Sequence, residues 1–232
     1  LTLCLNDTTA VADTTQTEPT LWKVYLQKMA LENFDFRLLL PADSMDLQLS
    51  LQQAALTEGA ADLHQGCYSA TRFELKEARL RYDCGALPPL PTDSAAAPKG
   101  LDPNHLLLTR IHFAADSLYY AGNDIQAQLK ELTLQEQSGL KLVQTSGQLL
   151  SNDQAISIPR LRLTTGNSTV ELSASMDWAA AEARQTGAIR ARLLAEIGKE
   201  DMMTLLAGQP ETFVLQYPAE PLQLKAGIDG NL

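Results

Sequence analysis

Apolar and polar side chains alternate without a break in Val170-Glu171-Leu172-Ser173-Ala174-Ser175-Met176-Asp177-Trp178. A β-strand turns successive side chains to opposite faces, so this pattern predicts a strand with one apolar and one wet face. The same alternation recurs in residues 47–51, 213–217 and 222–228. The repetition predicts an all-β fold, a long curved antiparallel sheet with one apolar face.

Turn-forming residues recur at intervals of roughly ten residues, which is typical of a meander. We expect about fifteen strands, each roughly 5–8 residues long. At about 4.8 Å per strand, one continuous sheet would be on the order of 70 Å long. Open sheets of that size curl or flatten, and curling with the apolar face inward would form a solenoid-like groove lined by Leu and Ile.

Proline divides the chain into two halves. Residues 85–104 contain Pro88, Pro89, Pro91, Pro98 and Pro103, and proline lacks the N–H that a central strand needs. We therefore interpret 85–104 as a linker or long loop. The predicted organisation is a flexible segment at 1–20, a first β-sheet module at 21–84, and a second module at 105–232 that is continuous with the first.

A short helix is predicted near residues 199–207. Met202, Leu205 and Leu206 share a helical face, and Gly208 is a suitable stop residue. Such a helix would cap or plug the apolar side of the sheet.

The amino-acid composition limits the classes of ligand that the protein could bind. Hydrophobic residues make up 45% of the chain and aromatic residues only 6%, so the apolar surface is aliphatic and suits packing or alkyl chains. The net charge of −10 argues against nucleic acid, whose binding needs Lys and Arg, and against an anionic membrane surface. The ordinary interpretation of this acidity is solubility.

No pattern of residues indicates catalysis or metal binding. The sequence contains no nucleophile-elbow, zinc-protease or phosphate-loop motif, and its three histidines and three cysteines are not clustered. We expect neither an enzyme nor a cofactor nor a metal. A disulfide between Cys67 and Cys84 is a minority alternative to buried thiols.

The two ends of the sequence look internal. The chain starts Leu1-Thr2-Leu3-Cys4-Leu5-Asn6, without a start methionine or a signal peptide, and contains no apolar run of 18 residues. We interpret it as a segment of a longer protein.

Several stretches of the sequence are similar to sequences of a known protein family. They are Ala30-Leu31-Glu32-Asn33-Phe34-Asp35-Phe36, Met45-Asp46-Leu47-Gln48-Leu49, Leu101-Asp102-Pro103-Asn104-His105, Asp116-Ser117-Leu118-Tyr119-Tyr120 and residues 138–163. In these stretches the chain resembles the AsmA-like/TamB proteins of Gram-negative bacteria, and most closely the TamB-like proteins of Bacteroidetes. The resemblance covers roughly residues 21–180, and the motifs have low chemical specificity.

The resemblance implies an internal, periplasmic segment of a protein anchored in the inner membrane. It implies a taco-like β-sheet whose apolar groove carries phospholipid between the inner and outer membranes. It also implies an outer-membrane assembly protein as a partner, contacted through parts of the chain not present here. The family offers no catalytic residues.

Three functions follow from these patterns. The first is a lipid conduit, with acyl chains held against a groove lined by Leu47, Leu49, Leu51, Val170, Leu172, Ala174, Met176, Leu222 and Leu224. The second is a scaffold for outer-membrane β-barrel proteins, which would pair a client strand with an exposed sheet edge. The third is a purely structural sheet whose apolar face is packed core.

Overall fold

All long strands of the described residues belong to one antiparallel meander. The computed structural model describes residues 2–3, 21–85, 100–181, 186–206 and 218–231. The strands are β1 (Thr2–Leu3), β2 (Lys23–Leu40), β3 (Met45–Asp62), β4 (Cys67–Cys84), β5 (His105–Ala121), β6 (Asp124–Glu136), β7 (Lys141–Ser151), β8 (Ala155–Thr165), β9 (Thr169–Asp177), β10 (Ala188–Ile197) and β11 (Leu222–Asn231). Their order in the sheet is their order in the chain, and the sheet is open. The strands from β2 to β11 are antiparallel, and the two-residue strand β1 pairs with β2 in parallel. The predicted all-β antiparallel fold is confirmed.

The strands are fewer and longer than the sequence predicts. Strands β2 to β11 have 9 to 18 residues each, whereas we expected about fifteen strands of 5–8 residues. The stretches 22–26 and 33–38, which look like two strands, belong almost entirely to the single strand β2. The expectation was wrong because breaks in the alternation were interpreted as turns.

Those breaks are local distortions inside continuous strands. The non-glycine residues Asn33, Glu58, Glu77, Arg110 and Ser117 all have positive φ, between 49° and 54°, and all lie within strands. Near each of them the spacing between apolar side chains changes from two residues to three. Across Glu77, Arg110 and Ser117 the strand register also shifts, as in a β-bulge, whereas the β2–β3 register is the same on both sides of Asn33 and of Glu58. We call all five distortions bulges, and each keeps the apolar side chains on the same face of the sheet.

One buried cluster lies beside these bulges. Leu51, Ala54 and Ala78 form a buried cluster, although Leu51 and Ala54 are three residues apart on one strand. Leu51 lies opposite Ala78, and Ala54 lies opposite Leu75. Both sides of the bulge therefore contribute to one apolar surface.

Strands β4 and β5 pair directly across the predicted linker. Their register runs from Cys67 opposite Ala121 to Asp83 opposite His105. The described strands therefore form one sheet on both sides of residues 86–99. Most of the Pro-rich linker, residues 4–20 of the predicted flexible segment and the predicted strand at 213–217 lie outside the described residues.

The predicted helix is confirmed. Helix α1 spans Lys199–Leu205, and short 3₁₀ turns occur at Pro41–Asp43 and Trp178–Ala181. Gly208, the expected stop residue, lies outside the described residues, and the helix is followed by Leu206 as its C-cap.

The two described cysteines cannot form a disulfide with each other. Cys67 and Cys84 are the first and last residues of β4 and are free thiols. At about 3.3 Å per residue, an 18-residue strand separates its ends by roughly 50 Å, far beyond the ~7 Å limit between the Cα atoms of a disulfide. The alternative of a Cys67–Cys84 disulfide was therefore wrong.

Candidate functional site

One row of apolar residues crosses the sheet from β2 to β11, with a glycine at its position on β7. Side chains of residues directly opposite each other in neighbouring strands point to the same face. The strand register therefore shows which residues belong to one row. One row takes one residue from each strand from β2 to β11, and we call it the apolar row: Met29, Leu56, Phe73, Ala115, Leu129, Gly147, Leu161, Leu172, Leu193 and Ala226. The face that carries it is the apolar face.

All nine residues predicted to line a groove lie on this face. Leu47, Leu49 and Leu51 lie on β3, and Leu222 and Leu224 lie on the edge strand β11. The remaining four lie on β9, each opposite an apolar residue of β8 and of β10: Val170, Leu172, Ala174 and Met176.

The sequence patterns missed much of the same face. Met29 and Leu31 on β2, and Leu56 on β3, belong to it but lie beyond bulges, out of phase with the alternation before them. The signal that could have found them is an apolar spacing of three residues next to a polar pair, such as Gln52-Gln53.

Exposure varies across the apolar face. Side chains on the central strands, such as Leu161 and Leu172, are half-buried even though the sheet is a single layer. Side chains at the two edges are more open, with Met29 on β2 at 41% exposed and Ile228 on β11 at 63%. The face is therefore most accessible to a ligand at its edges.

Helix α1 lies on the apolar side at one end of the sheet. The hydroxyl groups of Thr165 and Ser168 both donate hydrogen bonds to Asp201, the Ser168 bond being 2.5 Å. Thr165 shares its face with Leu161 and Leu163, because alternate residues of a strand point the same way. The helix is thus attached at the turn between β8 and β9, through polar bonds of Asp201, while Met203 and Leu205 remain exposed.

The same helix connects distant strands. The backbone N–H of Leu101, just before β5, donates to the carbonyl of Thr204 at 3.1 Å. Strands β5 and β10 are separated by four strands, and α1 directly follows β10. Helix α1 and residues 101–104 therefore bridge the ends of β6 to β9.

A few polar side chains interrupt the apolar face. Glu136 and Thr145 are each only 2% exposed, and Glu136 lies opposite Leu108 while Thr145 lies opposite Leu163. Glu136 Oε2 accepts a hydrogen bond from the Ser138 N–H at 2.6 Å, but Glu136 Oε1 and Thr145 Oγ1 have no partner among the described residues. Glu136 on β6 and Thr145 on β7 therefore place polar oxygen atoms on the apolar face.

The opposite face carries the ion pairs. Arg37 donates to Asp46 at 3.0 and 2.8 Å, and the guanidinium of Arg37 holds the pKa of that carboxyl below its ordinary value. Lys23 is 2.8 Å from Asp62 and likewise lowers the pKa of its carboxyl. The charges therefore keep one face hydrated and leave the other for apolar contacts.

The histidines on β5 contact carboxylates on the polar face. His105 Nδ1 lies 3.2 Å from Asp83 Oδ1, and His112 Nε2 lies 3.0 Å from Glu77 Oε1. The described residues contain no group of three or more His, Cys, Asp or Glu side chains that could hold a metal ion. Within the same residues, no helix has the length and hydropathy needed to cross a membrane.

Comparison of the chain with protein-family models, with curated proteins and with solved structures found no match.

Proposed function

We propose that this chain binds the acyl chains of phospholipids along its apolar face and forms part of a conduit that carries them between two membranes. The observation that supports this proposal is the continuity of the apolar row across all ten long strands. Each CH₂ group taken out of water on such a surface stabilises the complex by about 0.8 kcal/mol.

The length of the apolar row is compatible with acyl chains that move along the sheet. Nine intervals of about 4.8 Å make the row roughly 43 Å long. A bilayer core is about 30 Å thick, so one leaflet of acyl chains is roughly 15 Å deep. An acyl chain would therefore cover only part of the row, and the aliphatic side chains offer it similar contacts in neighbouring positions.

The resemblance to the AsmA-like/TamB proteins supports the same function. It also supports a location in the periplasm of a Gram-negative bacterium, within a longer protein anchored in the inner membrane. An outer-membrane assembly protein would be contacted by other parts of that protein.

Native mass spectrometry of the segment, purified from a Gram-negative host, tests the proposal. We expect phospholipid to co-purify at a defined stoichiometry and to be identified after extraction. A lipid-free mass under conditions that preserve noncovalent complexes would contradict the proposal, because an accessible aliphatic surface of this length should retain lipid.

A second function has its own support in strand β11. Among the described residues β11 pairs only with β10, and every residue of β11 is exposed. An open edge of this kind can accept a strand from a client protein, as a scaffold for outer-membrane β-barrel proteins would require. Crosslinks from β11 to nascent outer-membrane proteins, without bound lipid, would favour this function over the conduit.

A further inference from the structure

The polar face of β2, β3 and β4 contains a cleft between two arginines. Arg37, Gln48 and Arg81 lie directly opposite one another in the register of these strands, and we call them the arginine row. The cleft has a volume of about 500 Å³. It is also lined by the carboxylates of Asp46 and Asp83 and by apolar side chains: Leu39, Pro41 and Met45.

The carboxylates next to the row hold the two guanidinium groups in place. Asp46 accepts from Arg37 Nε and Nη2 at 3.0 and 2.8 Å, and from Gln48 Nε2 at 3.0 Å. Asp83 accepts from Arg81 Nε at 2.7 Å. Side chains held in this way lose less conformational entropy when they bind a ligand.

Both guanidinium groups keep donors available for a ligand. Arg37 and Arg81 have side chains that are 53% and 51% exposed. Neither Nη of Arg81, nor Nη1 of Arg37, donates a hydrogen bond to any of the described residues. A guanidinium has five N–H donors, so each arginine can satisfy its aspartate and a second anion.

The spacing of the arginines favours a tetrahedral anion. Two strands separate their backbones by about 9.6 Å, so the two side chains can approach one ligand from opposite sides over Gln48. Phosphate and carboxylate both match the guanidinium fork, and phosphate has the additional oxygens needed to accept from two such forks at once. The apolar side chains at the cleft would contact the organic part of a phosphate ester.

We infer that the arginine row is a binding site for a phosphate group, with Arg37 and Arg81 as its ligands. The group could come from a lipid headgroup or from a soluble phosphate. The site lies on the polar face, opposite the apolar row, so it does not depend on the proposed binding of acyl chains.

Nuclear magnetic resonance of the arginine side chains tests this inference. Inorganic phosphate is added to the whole chain at constant ionic strength, with chloride as the reference anion. We expect saturable shifts of the Nε–Hε signals of Arg37 and Arg81. A non-saturating response, or the same response to chloride, would overturn the inference.

Three variants separate binding from folding. Arg81→Gln should weaken phosphate binding at least tenfold, and Arg81→Lys should also weaken it because lysine keeps the charge but loses the fork of donors. Arg72→Gln is the matched control, since Arg72 lies on the same strand and pairs with Glu74 at 2.6 Å, but lies outside the cleft. Equal weakening in Arg72→Gln, or unchanged binding in folded Arg81→Lys, would contradict the site.

The source of the phosphate is resolved with two further ligands. Glycerol phosphate tests a soluble ester, and vesicles that contain phosphatidic acid, compared with vesicles of neutral lipid, test a headgroup. Tighter binding of the ester assigns the site to soluble phosphates, and tighter binding of the acidic vesicles assigns it to lipid. Absence of binding to phosphate and to both ligands would refute the site.

Discussion

Leu161 of β8 lies directly opposite Leu172 of β9, within the apolar row that joins β2 to β11. Replacement of Leu172 by Asp would place a charge on the path that we propose for acyl chains, where the residues opposite it are the apolar Leu161 and Leu193. We expect Leu172→Asp to lose most of the co-purifying lipid, measured by native mass spectrometry.

The matched control is Ser173→Asp, one residue away on the polar face and opposite Arg192. It should retain lipid, and circular dichroism should show that both variants keep the sheet. Full lipid occupancy in a folded Leu172→Asp variant would contradict the conduit.

Arg110 has a φ of 52° inside β5. A β-branched residue tolerates positive φ poorly, although it favours ordinary strand positions. We expect Arg110→Val to lower the free energy of unfolding by about 1–2 kcal/mol, measured by chemical denaturation.

Arg79→Val is the control, because Arg79 lies in β4 and is not among the residues with positive φ. That substitution should change stability little. Equal effects at the two positions would mean that the bulge does not constrain its residue.

The Arg37–Asp46 pair should make stability depend on pH. The pKa of Asp46 is lowered in the folded state, mainly by the hydrogen bond from Arg37. The unfolded value is about 3.9, so the pair stabilises the fold above pH ~4 and this contribution is lost as the pH falls through the folded pKa.

We therefore expect Asp46→Asn to unfold at a lower denaturant concentration than the wild type at pH 7. The difference should shrink below pH 4, when the wild-type carboxyl becomes protonated. A difference that stays constant from pH 7 to pH 2.5 would show that the charge of Asp46 is not its cause.

Gly198 connects β10 to helix α1 and packs closely on the turn between β8 and β9. A Cβ at Gly198 would contact the carbonyl oxygen of Asn167 and lie 2.7 Å from its Cβ. We expect Gly198→Ala to displace α1 and to accelerate hydrogen exchange of the Leu101 N–H, which donates to Thr204.

Gly166→Ala serves as the control, since a Cβ there would meet no atom within 4 Å. It should leave the exchange of the Leu101 N–H unchanged. Slow exchange in Gly198→Ala would mean that the helix does not depend on this close contact.

Sequence alone predicts the parts of this fold that depend on local pattern. The alternation in residues 170–178 identifies β9, and the apolar face at Met202 identifies α1, because strand and helix periods act over a few residues. Within each strand the predicted groove residues share a face because they come from stretches without bulges.

Features that depend on register could not be predicted. Residues Glu58, Glu77 and Arg110 are not of types that favour positive φ, so residue type alone could not place the bulges at these positions. The arginine row was also hidden, because Arg37, Gln48 and Arg81 lie on three strands whose alignment is fixed by pairing over their full length.

Among the described residues, every strand from β2 to β11 pairs only with the strands that precede and follow it in the chain. Stability in such an array is approximately a sum of terms between adjacent units, and folding can start at any hairpin and spread. The sheet can therefore assemble progressively while the chain is being synthesised. It can also gain or lose a hairpin at an edge while the remaining strands keep their partners, so its length can change by small steps during evolution.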